Sequence, residues 1–150
     1  MIDALTGRDV VKINDTILTD LADDDTVVLE FPNALSTVKT GKNGNTIYAW
    51  NATGINVKVT MKLIHGSTDD KRLNSLLISY NNEPVTFLLL TGSFIKKVGD
   101  GAGGVSSITY SLSGGVFTKA VAAKENVAGD TTQAVAVYEM MFSNGARSIA

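Results

Sequence analysis

The 150-residue chain is 44% hydrophobic and 19% charged, a composition typical of a globular domain with its own core rather than of a disordered segment. Its net charge of −2 and isoelectric point of about 5.3 do not indicate the clustered basic surface that binding to a phosphate backbone requires. The absence of cysteine excludes disulfides, thiolate chemistry and Cys-based zinc sites. We find no secretory leader pattern and no run of about 20 apolar residues, so we expect a soluble protein made in a cytoplasm, with no membrane partner.

The N-terminal part of the chain predicts short β-strands joined by tight turns. Two runs of alternating character, residues 8–13 and 16–21, flank the turn-forming pair Asn14-Asp15. Residues 26–31 then concentrate β-branched and aromatic side chains, which favour a pleated, half-buried strand. We therefore expect three strands in this part of the chain.

A polar segment spans residues 34–54 and contains Asn43-Gly44, a pair that strongly favours a tight β-hairpin turn. Few apolar side chains flank this turn, so the segment has little to contribute to a core. We expect a long β-hairpin over about residues 34–54 whose tip projects away from the rest of its own chain.

The clearest strand and the one helix follow each other directly. Residues 56–64 alternate between apolar and polar side chains, as in a strand with one buried face. Ser67 is a good helix cap, and Asp70 three positions later completes a relative of the capping box. Apolar side chains then recur at helical spacing, at Leu73, Leu76, Leu77 and Tyr80. We expect an amphipathic helix over about residues 67–80.

The C-terminal half predicts further strands. Residues 85–90 and 133–142 are apolar on both faces, so we expect each run to be buried on two sides or covered by another subunit. Between them the pattern predicts three shorter strands, over residues 94–98, 107–113 and 116–121. A glycine-rich tip, residues 99–104, would join the first two, and a hairpin turn at Gly114-Gly115 would join the last two. The expected fold class is mostly β: an antiparallel β-sandwich or barrel with one flanking α-helix and the protruding hairpin, as a single domain over residues 1–150.

No residue pattern in the chain predicts an active site. His65 is the only histidine, and no G-x-S-x-G nucleophile motif accompanies it. Residues 99–104 match G-x-G-x-x-G, but the residues after them alternate as a strand, whereas a dinucleotide site needs a helix there. Asp23, Asp24 and Asp25 lack the glycine and glutamate spacing of a calcium loop. We expect no enzymatic activity, no metal and no cofactor.

The order of these features resembles the tail tube proteins of contractile-tailed bacteriophages and the related tubes of R-type tailocins and injection systems. The resemblance rests on a strand with an acidic approach, a polar hairpin, a small-polar stretch, and a strand that passes directly into a helix. In this sequence they are, in order, residues 23–31, Gly41-Lys42-Asn43-Gly44, Asn51-Ala52-Thr53-Gly54, 57–63 and 67–77.

The resemblance implies a mechanical function. Such subunits assemble as hexameric rings that stack into a hollow tube for DNA ejection, with a sheath, a baseplate and a tape-measure protein as further partners. It also implies a virion component that is assembled in the cytoplasm of the bacterial host. The hairpin would reach from one ring to the next, and strands of all subunits would merge into one inner barrel, through which DNA passes without specific binding.

Two sets of residues have expected roles under this resemblance. The acidic strand residues Glu30 and Glu139 are candidates for facing the lumen of the tube. The residues expected to contact neighbouring subunits are those of the hairpin, namely Val38, Lys39, Thr40, Gly41, Lys42, Asn43, Gly44, Asn45, Ile47, Tyr48 and Trp50.

Two other interpretations stay open at this point. A small β-sandwich binding module, for carbohydrate or for a protein partner, would need an exposed aromatic platform, for which Tyr48, Trp50 and Tyr80 are the available side chains. A relative with the tube fold, such as a tail terminator or a baseplate hub protein, would cap the tube and would not polymerise alone.

Overall fold

The computed structural model describes residues 4–5, 9–19, 21, 27–99, 101–123, 125, 128–129 and 135–149. Over these residues it contains ten strands and one α-helix: β1 Ala4–Leu5, β2 Val10–Ile13, β3 Thr16–Ile17, β4 Val27–Glu30, β5 Ser36–Thr40, β6 Thr46–Trp50, β7 Val57–Ile64, α1 Thr68–Asn82, β8 Leu90–Gly99, β9 Val105–Lys119 and β10 Val135–Ile149. A short 3-10 turn, Ala52–Ile55, links β6 to β7. The acidic loop predicted at Asp23, Asp24 and Asp25 lies outside the described residues.

Eight of these strands form one antiparallel sheet in the spatial order β3-β2-β8-β9-β10-β7-β4, with β1 paired to the end of β8. Leu21, a few residues after β3, forms a β-bridge with Leu63 on β7. The four residue steps from Ile17 to Leu21 span at most about 14 Å, so the two edges of the sheet lie close together here and the sheet curls toward a barrel. The architecture confirms the predicted fold class.

The concave side of the sheet and helix α1 enclose the core. Strand β7 alternates as predicted, with Val57, Val59, Met61 and Leu63 buried and the residues between them at least partly exposed. Burying one such side chain contributes roughly 1.5–3 kcal/mol, which fixes the register of the strand. The other buried apolar side chains are Val11, Ile13, Leu18, Leu73, Leu77, Leu90, Leu112, Phe117, Ala136, Tyr138, Met140 and Phe142.

Helix α1 forms where the sequence predicts it and extends two residues further, to Asn82. Its first turn is a variant of the capping box: Ser67 Oγ accepts a hydrogen bond from the Asp70 amide at 3.3 Å, and Asp70 Oδ2 accepts one from the amide of Gly66, the residue before the cap, at 2.8 Å. Asp69 is only 2% exposed and accepts a hydrogen bond from the Thr19 amide at 2.6 Å. This contact ties the helix to the segment that follows β3.

The strand predicted over residues 85–90 is wrong. Pro84 follows the end of α1, residues 84–86 form a turn, and β-structure begins only at Leu90. The segment leads from the end of α1 back to the start of β8, and within the described part of the chain no strand lies beside it to complete a ladder. Most of its apolar side chains therefore face solvent.

The hairpin turn predicted at Gly114-Gly115 is also wrong, because β9 runs unbroken through it. A Cβ on Gly115 would overlap the ring of Phe142 on the neighbouring strand, and Gly114 has a φ of +68°. At this pair β9 approaches β10 closely and its backbone adopts a left-handed conformation, and only glycine fits both conditions. It does not reverse the chain.

Strand β10 continues to Ile149, seven residues beyond its predicted end. Its core-facing side chains include Tyr138 and Phe142, whereas Val137 on the opposite face is 38% exposed. The prediction that this strand is buried on two sides is therefore wrong for the chain alone. Coverage of its second face by another subunit stays a prediction, and the predicted strand residues Gln133 and Ala134 lie outside the described residues.

Candidate assembly surfaces

Strands β5 and β6 form the predicted hairpin, and it stands apart from the main sheet. They pair only with each other, and all residues from 31 to 50 are exposed. The tip is closed by a hydrogen bond from the Gly41 amide to the Asn45 carbonyl at 2.7 Å, and Gly44 adopts a φ of +86°. The hairpin prediction is confirmed, and so is the prediction that it contributes nothing to its own core.

The base of the hairpin is held by short contacts between its two arms and the 3-10 turn that follows. The Asn51 amide donates to the Leu35 carbonyl at 2.9 Å, while the Asn51 side chain accepts a hydrogen bond from the Thr53 amide at 3.2 Å. Gly54 is buried here, and a Cβ at this position would lie 2.7 Å from Leu35 Cα, so the backbones approach as closely as glycine allows. The hairpin is consequently a held protrusion and not a loose loop.

One face of the hairpin is apolar and aromatic. Residues directly opposite each other in an antiparallel pair share a face, so Val38 and Tyr48 lie side by side, with Trp50 one pair further along. Their exposed fractions are 55%, 75% and 71%. Toward the tip the same face ends in Thr40 and Thr46, whose hydroxyl oxygens are 3.3 Å apart. We call Val38, Tyr48 and Trp50 the aromatic face.

The opposite face is mixed in character. It carries Thr37 opposite Ala49 and Lys39 opposite Ile47. Ile47 is 70% exposed, close to the value for its neighbour Tyr48, so the two faces can be tested by matched substitutions. Lys39 and Lys42 are the charged residues of the hairpin, which has no acidic residue.

The two acidic residues predicted to face a lumen share one surface. Glu30 on β4 lies opposite Lys58 on β7, and Glu139 on β10 lies opposite Thr60, between Lys58 and Lys62. All five residues are on the side of the sheet that faces away from the core. The structure therefore brings Glu30 and Glu139 together but interleaves them with two lysines, and their role in a lumen stays a prediction.

The only histidine of the sequence belongs to a hydrogen-bonded cluster at the start of α1. His65 Nδ1 lies 3.6 Å from Asp70 Oδ2, and Tyr138 donates its hydroxyl proton to Asp70 Oδ1 at 2.5 Å. Burial, followed by the hydrogen bond to Asp70 and the negative charge of its carboxylate, raises the pKa of Tyr138 far above the usual range for tyrosine. The hydroxyl oxygen of Ser67 caps the helix, and the hydrogen bond from Tyr138 to Asp70 joins α1 to β10.

The glycine-rich match over residues 99–104 has a plain structural explanation. Strand β8 ends at Gly99 and the next element, its paired strand β9, begins at Val105, so no helix N-terminus follows the motif. Among the described residues, no group of three His, Asp or Glu side chains is close enough to hold a metal ion.

Sequence reasoning missed an exposed apolar segment between α1 and β8. Val85, Leu88 and Leu89 are 96%, 87% and 57% exposed. Phe87 in the same segment turns inward, and its ring packs edge-on against Tyr80 with centroids 5.2 Å apart. The segment is thus anchored to the body while its other apolar side chains are held in solvent. The run of apolar letters at 85–90 was the available signal, but it indicated a strand.

Comparison with known proteins identifies the architecture. No protein-family profile and no curated protein matches the sequence. Among solved structures, the tube-terminating cap of the anti-feeding prophage superposes with a TM-score of 0.59 at 11% identity, over 97% of this chain and 90% of that chain. The chain shares its overall fold with this cap protein.

Two further structures have the same architecture. The sheath/tube terminator of PVC, an extracellular contractile injection system, superposes with a TM-score of 0.50 at 13% identity, over 96% of this chain and 94% of that chain. A chain of the PVC sheath–tube complex gives a TM-score of 0.53 at 12% identity, over 95% and 88% of the two chains.

These three likenesses test the predicted resemblance at the level of the fold. They confirm a relation in fold to components of contractile, phage-tail-like assemblies, while hexameric rings and a stacked tube stay predictions. Among the residues that the structure describes, no helix is long and apolar enough to cross a membrane.

Proposed function

We propose that this chain is a structural, non-enzymatic subunit that ends the tube of a contractile, phage-tail-like assembly, and that it acts as a ring of identical copies. The likeness to a tube-terminating cap and to a sheath/tube terminator supports a terminator over an ordinary tube subunit. The subunit would be located in the assembled particle, after synthesis in the bacterial host, with tube and sheath subunits as its neighbours.

The observation that carries the proposal is the exposed, held hairpin. Its aromatic face places Tyr48 and Trp50 in water, although these two residue types dominate the energetics of protein interfaces. Because the contacts of Asn51 and Gly54 fix the base, association would cost little ordering of the hairpin. The exposed apolar side chains of such a protrusion contribute to stability only when another subunit buries them.

A stacked tube subunit is the second candidate. The likeness to a chain of the PVC sheath–tube complex favours it, as does the resemblance of the sequence to tail tube proteins. In this form the chain would make hexameric rings that stack into a conduit, with a baseplate and a tape-measure protein as further partners. Glu30 and Glu139 would then face the lumen, where negative charge disfavours binding of passing DNA, although Lys58 and Lys62 reduce that effect.

Negative-stain electron microscopy of the purified chain, combined with mass measurement by light scattering, separates the two candidates. A terminator should form discrete rings that do not lengthen as the protein concentration rises. A tube subunit should form hollow tubes of constant diameter. A monomer at every concentration, also in the presence of isolated tubes, would contradict both candidates and would favour a binding module.

The aromatic face provides the matched test of the assembly role. Tyr48→Ser should weaken ring formation, whereas Ile47→Ser, on the opposite face and 70% exposed, should change it little. Tyr48 is 75% exposed, which is about 150 Å² for a ring side chain; covering half of it contributes about 2 kcal/mol, a ~30-fold change in association. Equal effects of the two substitutions would contradict the assignment of the contact to the aromatic face.

A further inference from the structure

A groove runs along helix α1 on the side of the exposed apolar segment. One hollow of about 530 Å³ lies between the C-terminal half of α1 and the following loop, and is lined by residues including Leu76, Glu83, Phe87 and Leu88. A second hollow of about 360 Å³ continues toward the turn between β2 and β3. The two hollows share Leu76, Ser79 and Asn14, so they form one channel, which we call the helix groove.

The rim of the helix groove is apolar and exposed. Leu88 lines the groove at 87% exposure, and Val85 and Leu89 extend the apolar surface beside it. The packing of Phe87 on Tyr80 prevents this segment from folding its other side chains inward. The aromatic face of the hairpin and the rim of the groove are therefore both apolar and in solvent, and neither covers the other within one subunit.

The hairpin and the rest of the chain carry opposite net charges. The hairpin, residues 36–50, carries Lys39 and Lys42 and no acid, whereas the remaining residues hold the other 11 basic residues and all 15 acidic ones. Glu83 and Arg72 both line the groove, so the groove itself carries charges of both signs. A positively charged protrusion is thus matched by a body of net negative charge.

The dimensions are also compatible. A five-residue strand of the hairpin is about 17 Å long, and the run of α1 from Arg72 to Asn82, which borders the groove, is about 15 Å long. Tyr48 and Trp50 together expose about 300 Å². They would supply the buried centre of an interface whose ordinary size is about 800 Å² per partner.

We propose that the aromatic face of the hairpin of one copy docks into the helix groove of a second copy. This inference rests on the proposed function, since it names the surface that receives the hairpin within the assembly. The contact joins two different surfaces of the same chain and is therefore heterologous, so that repetition with rotational closure generates a ring.

Cross-linking tests the pairing directly, because the chain contains no cysteine of its own. Thr40 lies on the aromatic side of β5 and Ser79 is an exposed groove residue on α1, and neither belongs to the apolar anchors. Chains carrying Thr40→Cys and chains carrying Ser79→Cys are purified separately, with a size tag on one of them. They are then mixed, allowed to assemble, and treated with a short bismaleimide. Thr37→Cys, on the opposite face of the same strand, replaces Thr40→Cys in the control.

We expect a covalent heterodimer for the pair Thr40→Cys and Ser79→Cys, with at least about tenfold less product when Thr37→Cys is used. Leu88→Ser should weaken ring formation about tenfold or more, as expected for the loss of a buried apolar contact. Rings that form without this cross-link, or with equal product in the control, would overturn the inference and would leave the proposed function standing. In that case we would assign the helix groove to the binding of a different protein. A chain that forms no assembly under any condition overturns the proposed function, and the inference with it.

Discussion

Replacing Tyr138 with phenylalanine removes one hydroxyl from the core and leaves the ring in place. This hydroxyl donates to Asp70 Oδ1 at 2.5 Å and also lies 3.0 Å from the Asp70 carbonyl oxygen. A hydrogen bond to a charged group contributes roughly 1.5–3 kcal/mol. Because the Asp70 side chain is 14% exposed and keeps its bond from the Gly66 amide, water and that amide compensate in part. We expect Tyr138→Phe to lower the free energy of unfolding by about 1–2 kcal/mol at pH 8.

The pH dependence of this loss in unfolding free energy is the more specific part of the prediction. The pKa of Tyr138 is raised in the folded chain by burial and by Asp70, whereas an unfolded tyrosine titrates near pH 10. Above about pH 10 the unfolded chain releases a proton that the folded chain keeps, so the stability of the wild type falls by up to about 1.4 kcal/mol per pH unit. Below that pH the contribution is constant. The phenylalanine variant lacks this dependence.

Urea unfolding at pH 8 and pH 11, at a concentration where both proteins are monomeric, measures the effect. The stability difference between wild type and Tyr138→Phe should shrink by about 1 kcal/mol between the two pH values. Tyr48→Phe, at a residue that is 75% exposed, is the control and should show a constant difference. Parallel pH profiles for wild type and Tyr138→Phe would refute the link between burial, the Asp70 contact and the raised pKa.

Three further predictions concern stability and assembly. Asp69→Ala leaves the Thr19 amide without its buried acceptor and should lower the free energy of unfolding by about 1–3 kcal/mol, measured by thermal or urea unfolding; no change would mean that water replaces the carboxylate. Gly145→Ala places a methyl group against the buried side chain of Val57 and should cost about 1–3 kcal/mol in the same assay, unless β10 shifts to accommodate it. Deleting hairpin residues 41–45 should abolish ring formation in electron micrographs. The circular dichroism spectrum and the unfolding free energy should stay near those of the wild type, since residues 31–50 are all exposed. An unfolded variant would contradict the placement of the hairpin outside the core.

Local patterns were sufficient for three elements. The strict alternation of β7 and the helical spacing of α1 each follow from one buried face, which imposes its period on consecutive residues. The hairpin was predictable from Asn43-Gly44, because a turn is a local structure. Tyr48 and Trp50 were recognisable as candidates for an exposed aromatic platform, but the register of β5 and β6 decides that they share one face with Val38.

Composition and local residue patterns are sufficient to specify a mostly β chain with one capped helix, a protruding hairpin and no recognisable catalytic motif. How the remaining segments are used depends on contacts between distant parts of the chain. Gly114-Gly115 lies inside a strand because the ring of Phe142, distant in sequence, occupies the space of a side chain. Residues 85–89 stay outside the sheet because no described strand lies beside them, and Glu30 and Glu139 share one surface because β4 and β10 pair with the two edges of β7. Each of these outcomes depends on neighbours far along the chain, which no local pattern of residues specifies.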